Sequence, residues 1–572
     1  MAERIQNLFY GGMADSPRDP SLYKFDYSKH FDIFSDPKRL IPYKNVYANN
    51  DGITAATNEP ANFLTYNASN YLLARLGSGA SDKVKLFADT LGGDTWASPT
   101  GAVSGTASSK NNAVFIEYKG IIYGVRGSRY IWSYNIITDT FTDTAYDTGS
   151  AASNVIVNAI IGTDGYLYFF LDNKIFYFDG SAWAQALLTI PSDEYIVGAA
   201  KYGDYLGVLT NRNSAYPTYP AKLYVWNYAS PFASEVRDCP AGNFNILGSA
   251  SNSLIVVAEE LAPEGFILSI QEYNNGGFSP IFNKILPSTV SIVRWKSQSI
   301  NGRMYFAVTD TGTGRKYQGI WIVGKAKEGY PLAVTIAFDY LEDTGTPADI
   351  LNFSIDVNGQ IHIVTTDFLI HKINSLNGTY ASVNPISIIE LTKYVEYAKL
   401  SAVKLLTAPL GSSASTRLKY LKDEETYWNQ IFKSTTDNEI NHEAVNMQSE
   451  ALSATMTIAS PAVVTATAHG MTVNQPFRFA TTGALPTGVT AGVVYYVLST
   501  NLTVNTFKFA ATAGGAAINT TGTQSGSHTI IPADDNFPIF NEIQLRGESL
   551  GGAEITGIAF KTTPQESLYN AA

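Results

Sequence analysis

NVIVNAIIGTDGYLYFFLDNKIFYFDGSAW, residues 154–183, holds three apolar runs separated by the turn formers Gly162 to Gly165, Asp172 to Lys174, and Asp179 with Gly180, and it closes on Trp183. Short runs rich in Val, Ile, Tyr and Phe between Gly, Asn and Asp clusters read as antiparallel strands. No helical spacing of apolar residues competes with that reading. The stretch therefore predicts a β-meander too small to bury both of its own faces.

The same plan recurs along the chain. AVFIEY, the turn Lys119-Gly120, IIYGVR and RYIWSY make one unit; SIVRWKSQ, Asn301-Gly302, RMYFAVT and GIWIVG make another; ILNFSI, Asn358-Gly359, QIHIVTT and FLIHKI make a third. Two-residue turns of this kind between apolar runs are strong hairpin signals. Seven candidate units follow, roughly 60–100, 111–146, 154–190, 194–237, 243–286, 290–340 and 349–380. Meanders at such a period predict blades around an axis, a β-propeller of six or seven blades over residues 60–380. Trp96, Trp132, Trp183 and Trp226 fall one to a unit, while Trp295 and Trp321 share one. No WD or kelch signature accompanies them, so the alternative is a pair of large β-sandwiches.

Beyond the propeller, residues 386–450 and 533–567 alternate apolar and polar side chains as half-buried strands do. Val403, Leu405, Leu418, Tyr420, Trp428, Ile431, Ile543, Leu545, Ile555, Ile558 and Phe560 are the expected core of a small antiparallel sandwich. Between its halves, residues 451–532 carry only two charged side chains, Arg478 and Lys508. The other 490 residues hold 87 of the 89 Asp, Glu, Lys and Arg, so 14 or 15 would be expected here. That break in composition marks an inserted module. Its runs AVVTATA, PFRFA, VVYYVLS, NTFKFAA and HTII, set between turns, predict an all-β, immunoglobulin-like domain.

The wording HGMTVNQPFRFATTGALPTGVTAGVVYYVLSTNLTVNTFKFAATAGGAAI resembles an immunoglobulin-like module of structural proteins in tailed bacteriophages. The elements that match are the turn His469-Gly470, the turn from Leu485 to Gly488, the Tyr495-Tyr496-Val497 strand and the Phe507-Lys508-Phe509 strand. About 60 residues are covered. The propeller followed by a sandwich with Lys-Tyr, Tyr-Trp and Ile-x-Leu-Arg strands is also similar to phage tail proteins, more loosely. The opening, Asn7-Leu8 to Gly11-Gly12 and then Pro17-Arg18, is similar to the start of some tail nozzle proteins. The resemblance implies a virion tail protein, made in the host cytoplasm. Its expected partners are other tail or portal-adaptor proteins and further copies of itself in a ring, with possible host-surface contact.

Residues 1–59 have too few periodic apolar positions for a core of their own. Gly11, Gly12, Pro17 and Pro20 break regular structure, while Tyr10, Tyr23, Phe25, Tyr27, Phe31 and Phe34 are large and adhesive. An extended N-terminal arm is expected, wrapped on its own propeller or reaching a neighbouring subunit.

Motifs for chemistry are scarce. The six histidines, His30, His362, His371, His442, His469 and His528, show no metal-ligand spacing, and the one cysteine, Cys239, reads as a buried apolar residue. His362 and His371 fall on adjoining strands, so a shared face is open. There is no nucleophile elbow, no phosphate-binding glycine loop and no calcium loop. Glu259 with Glu260, Asp423 to Glu425, and Asp534 with Asp535 supply adjacent acids of the type a glycosidase uses, and each reads better as a solvated turn. The expectation is no enzyme, no catalytic, cofactor-binding or metal residue and no cofactor. A net charge of −11 argues against specific nucleic-acid binding, although an acidic wall beside passing DNA would keep it from sticking. No signal-like or membrane-spanning apolar run is seen.

Two function classes follow. The first is a structural component of the tail nozzle or tip. The second is a receptor-binding or glycan-binding tail protein, which would ordinarily trimerise through a heptad or glycine-repeat stalk absent from this text. A bacterial carbohydrate-binding propeller would carry a secretion signal.

Overall fold

The computed structural model describes residues 2–6, 13, 27–36, 38–44, 47–48, 58–66, 69–76, 83–89, 105–106, 114–126, 130–135, 137–138, 140–149, 156–212, 221–239, 243–263, 265–312, 315–326, 328–337, 348–355, 360–366, 370–373, 387–423, 428–435, 441–445, 451–467, 469–532 and 539–564. It is all-β: strands and no helix occur among these residues. The chain divides into two compact units, residues 44–378 and residues 1–43 with 379–572.

The first unit is a β-propeller with seven four-stranded blades among the described residues. Their first strands are Asn58–Tyr66, Phe115–Tyr118, Ile156–Ile161, Glu194–Tyr202, Asn243–Ala250, Val290–Ile300 and Ile350–Ile355, for blades 1 to 7 in order. Each first strand packs beside the next, and that of blade 7 packs beside that of blade 1, so these seven line the axis and the ring is closed. The opening stretch explains why the blades stack. In Leu167–Leu171 of blade 3 every residue is buried. Leu167, Phe169 and Leu171 join a core with Tyr123, Val125 and Ile131 of blade 2, whereas Tyr168 and Phe170 join Leu206, Val208 and Trp226 of blade 4. A strand covered on both sides reads as a continuous apolar run instead of an alternation, and each such side chain contributes about 1.5–3 kcal/mol.

Close approach sets some positions. A Cβ on Gly124 would lie 2.1 Å from the ring of Trp132, which covers it and donates Nε1–H to the Val125 carbonyl at 3.1 Å. Trp132, Trp226 and Trp321 are all buried on third strands, while Trp183 is half-buried on a fourth strand, so the tryptophans mark the blades without occupying one repeated position. Cys239 lies in the core between blades 4 and 5, and burial pushes its thiol up to about 12. The Asn358-Gly359 turn and Trp96 lie outside the described residues.

Blade 7 is completed from the start of the chain. Its strands run Ile350–Ile355, Ile361–Thr365 and Ile370–Ile373, and the fourth is Tyr47–Ala48, with Tyr47 opposite Lys372 and Ala48 opposite His371. The described parts of the expected arm over residues 1–59 are thus built into sheets of its own chain. In the second unit Ala2–Gln6 pairs with Ile555–Pro564, Tyr27–Lys29 pairs with Ser387–Thr407, and Leu40 bridges Ile555. Tyr27, Phe31 and Phe34 are buried. The physical reason is the open sheet edge: the N-terminal residues satisfy backbone groups that would otherwise be unpaired. Gly11, Gly12, Pro17, Pro20, Tyr10, Tyr23 and Phe25 lie outside the described residues.

The second unit is built on the 21-residue strand Ser387–Thr407. Its first half pairs with Ile539–Leu550 and its second half with Ile555–Pro564, so one strand turns the corner between two layers. Val403, Leu405, Leu418, Tyr420, Ile431, Ile543, Leu545, Ile555, Ile558 and Phe560 are buried. Trp428 is half-buried beneath the Arg546 guanidinium, 4.0 Å from its ring centroid. The inserted module forms a seven-stranded sheet whose first and last members, Thr506–Phe507 and Phe509–Ala510, are separated in the chain by Lys508 alone, so the sheet curls round on itself. Its entering and leaving strands, Leu452–Met456 and His528–Pro532, pair with each other.

Candidate functional site

The propeller axis holds a cavity of about 300 Å³, walled by Ile116 of blade 2, Asn158 to Ile160 of blade 3, Ala199 to Lys201 of blade 4, Ser249 of blade 5 and Ser297 to Ser299 of blade 6. These residues end their inner strands: Ile160, Lys201, Ser249 and Ser299 each stand two positions before the first residue of a hairpin turn, at Gly162, Gly203, Ser251 and Asn301. Two of the turns, Ser251-Asn252 and Asn301-Gly302, have both residues at positive φ, as tight hairpins between right-twisted strands require. The cavity thus opens on the face that carries the first hairpin of each blade.

Bulges shape its wall. Opposite their second strands, the inner strands of blades 1, 3, 4, 5 and 7 each carry one extra residue, just before Asn62, Asn158, Gly198, Ile246 and Asn352. Blade 6 departs from this pattern: residues 293–296 stand against Ala307 alone. Its inner strand also comes within 8 Å, Cα to Cα, of the inner strands of blades 3 and 4 across the ring. The inner strand of blade 6 thus borders the same cavity as those of blades 3 and 4, through Ser297 to Ser299. Lys296 in this bulge lies 5.9 Å from the Phe353 ring centroid, and burial pulls its amine down to about 7.

Side chains of the wall stitch neighbouring blades together. Asn158 Nδ2 donates to the Ala199 carbonyl at 3.0 Å and its Oδ1 accepts from Ala159 N–H at 2.8 Å. Gln298 donates to and accepts from the Ile355 backbone, both at 2.8 Å. Ser297 Oγ donates to the Leu247 carbonyl at 2.6 Å, and Ser299 Oγ accepts from Ser249 N–H at 2.8 Å. Among the described residues the one charged member of the wall is Lys201, which is exposed. Such a lining presents hydrogen-bonding groups to the cavity.

A second polar cluster lies in the other unit. Arg417 and Lys419 share a strand face, Glu548 stands opposite Arg417 in register, and all three are buried. Lys419 Nζ is 2.9 Å from Glu548 Oε1 and donates to the Gly470 carbonyl of the inserted module at 3.1 Å. Arg417 Nη1 lies 3.8 Å from Glu548 Oε2. Burial pulls the Lys419 amine below its usual range, against the pull of Glu548. On the module side His469 is buried, its Nδ1 accepts from Met471 N–H at 3.0 Å, and its ring meets Phe507 edge-on at 4.9 Å. Burial pulls the imidazole down to about 4. The sequence hid this cluster because Arg417 and Lys419 alternate with core residues Leu418 and Tyr420 and so read as a solvated face.

The residues weighed for chemistry are not brought together. In blade 7 His362 is opposite Lys372 and His371 is opposite Ile363, which puts the two imidazoles on opposite faces of one sheet. Glu259 and Glu260 are neighbours on one strand and also face oppositely; Glu259 accepts from Ile292 N–H at 3.3 Å and Glu260 is exposed. Asp423 sits in a turn at φ +41° and accepts from Glu542 N–H at 3.0 Å. Glu424, Glu425, Asp534 and Asp535 lie outside the described residues, as does the side chain of His442. His30 and His528 are buried in the second unit. Among the described residues no group of three or more His, Cys, Asp or Glu could hold a metal ion, and no helix is long and apolar enough to cross a membrane.

No protein-family model matches the chain, and no curated protein matches it. Solved structures do. The WD40 β-propeller domain of Doa1 is 11% identical, with 59% of this chain and 98% of that chain covered and a TM-score of 0.33. YCF48 bound to a D1 peptide is 10% identical, with 59% and 96% covered and a TM-score of 0.39. The WD40 domain of coronin from Toxoplasma gondii is 11% identical, with 58% and 87% covered and a TM-score of 0.38. The likeness is one of fold.

Proposed function

We propose that this protein is a structural component of a tailed-phage virion, placed in the tail nozzle or tip and assembled as a ring with other tail or portal-adaptor proteins. One observation carries the reading. The residues on which the phage resemblance rests are those that specify the inserted module: His469, Tyr495, Val497, Phe507 and Phe509 are buried, and Gly470 and Gly488 hold positive-φ turns at +62° and +104°. Four of the five belong to one core with Phe477 and Phe479. A likeness located in core and turn positions is a likeness of the whole module and not of scattered surface words.

The protein acts in this reading by contact, without catalysis, and purified chain gives no hydrolysis of polysaccharide, peptidoglycan or peptide. The runner-up, a glycan-binding or receptor-binding tail protein, is favoured by the polar axial cavity. The test is antibody labelling of purified particles together with light scattering of the isolated chain. Label at the tail and a mass several times that of the protomer are expected. A monomer at every concentration, absent from particles, overturns the proposal, and turnover abolished by replacing one Asp or Glu would move the protein into an enzyme class.

A further inference from the structure

The wall of the axial cavity keeps hydrogen-bond donors after its internal bonds are made, beside the acceptor oxygens of Ser249 and Ser297. Asn158 uses its oxygen on Ala159 N–H and one amide hydrogen on Ala199, which leaves one N–H. Gln298 uses its oxygen and one N–H on Ile355, which again leaves one. Ser299 accepts from Ser249 N–H and so keeps its hydroxyl proton to donate. Lys201 makes no ion pair among the described residues and brings three N–H donors with a positive charge. Among the described residues no Asp or Glu is in the wall.

The complement of free donors set beside one cation is an anion with accepting oxygens, and hydrogen bonds to an ionised oxygen are the strong ones. At about 300 Å³ the cavity is at the small end of ligand sites, which fits one small molecule or one terminal unit of a longer one. Rigid support is present, because the same side chains are held by bonds to neighbouring blades. We infer that the axial pocket binds the carboxylate or phosphate of a small hydroxylated molecule, a sugar acid or a sugar phosphate. Lys201 pairs with the oxyanion, and Asn158, Gln298 and Ser299 donate beside it. The inference stands apart from any place in a virion.

The test is calorimetric titration of the full chain with glucuronate, glucose 6-phosphate, glucose and glucosamine. One or both anionic sugars bind, and the neutral and cationic ones do not; which anion binds assigns carboxylate or phosphate. Lys201→Gln weakens binding by about tenfold or more and Lys201→Arg retains most of it, since one charge-assisted bond is at stake. Lys201 is exposed, so neither variant should change the melting temperature. Equal binding of glucose and glucuronate, unchanged binding by Lys201→Gln, or no binding of any of the four at millimolar concentration overturns the inference.

Discussion

Replacing Glu548 by Gln removes an acid that faces Arg417 and Lys419, at 3.8 and 2.9 Å, in a place where all three side chains are nearly inaccessible. Breaking a buried pair in this way costs about 3–5 kcal/mol because a counter-charge is taken from buried cations. Two features hold the loss to the lower figure. Lys419 keeps its bond to the Gly470 carbonyl, and its amine already releases its proton more readily than usual. A loss of about 3 kcal/mol in a unit of this size lowers the melting temperature by roughly 6–12 °C. The sign of the pH effect follows from the direction of the shift. A lysine whose folded pKa is depressed binds fewer protons folded than unfolded, so stability rises with pH from that depressed pKa up to the usual lysine value. Glu548→Gln should therefore regain stability at alkaline pH, and Lys419→Met added to it should restore part of the loss at pH 7. Thermal and urea unfolding of the two variants and the parent measure all three effects. A Glu548→Gln protein within about 1 kcal/mol of the parent at pH 7 refutes the claim that Glu548 stabilises the two buried cations.

His469 is buried with its imidazole pulled down to about 4, so the unfolded chain takes a proton that the folded module refuses between pH 6.5 and about 4; stability is full above that window and falls by about 3 kcal/mol below it, a loss that His469→Asn should abolish in acid unfolding curves. Gly124→Ala drives a methyl into the Trp132 ring and should cost about 1–3 kcal/mol of propeller stability, read by thermal unfolding with tryptophan fluorescence. Removing residues 1–50 strips Tyr47–Ala48 from blade 7 and Ala2–Gln6 from its partner strand, so the product should aggregate, and a soluble truncated chain with the parent melting curve would contradict the pairing seen here. Excising residues 452–531 with a short Gly-Ser bridge should leave the host strands protease-resistant, because the module enters and leaves through strands that pair with each other.

The blades were legible because two local signals coincide in them, turn residues and apolar runs. Residues 154–183 show both, and Leu167–Leu171 is unbroken in hydrophobicity because neighbours cover its two faces. What escaped the sequence is non-local. Nothing in Tyr47 or Ala48 announces a partner far along the chain, and the alternation of Arg417, Leu418, Lys419 and Tyr420 is the same whether water or an inserted module covers the charged side. Register decides the histidines: His362 and His371 are close in sequence, yet only the pairing with Lys372 and Ile363 shows that they face apart. The axial cavity has no motif at all, since its wall draws on five strands of five blades.

The closing strand of blade 7 also fixes when the molecule can be finished. Tyr47 emerges from the ribosome about 325 residues before Lys372, its partner, which at about 5–20 residues per second is a wait of roughly 16–65 s. Ala2 waits longer still for Thr562. During synthesis the early strands have no template to pair with, so the ring shuts late, by capture of a segment made at the outset. A chain halted before blade 7 is complete would display an open edge, a template for pairing with another chain.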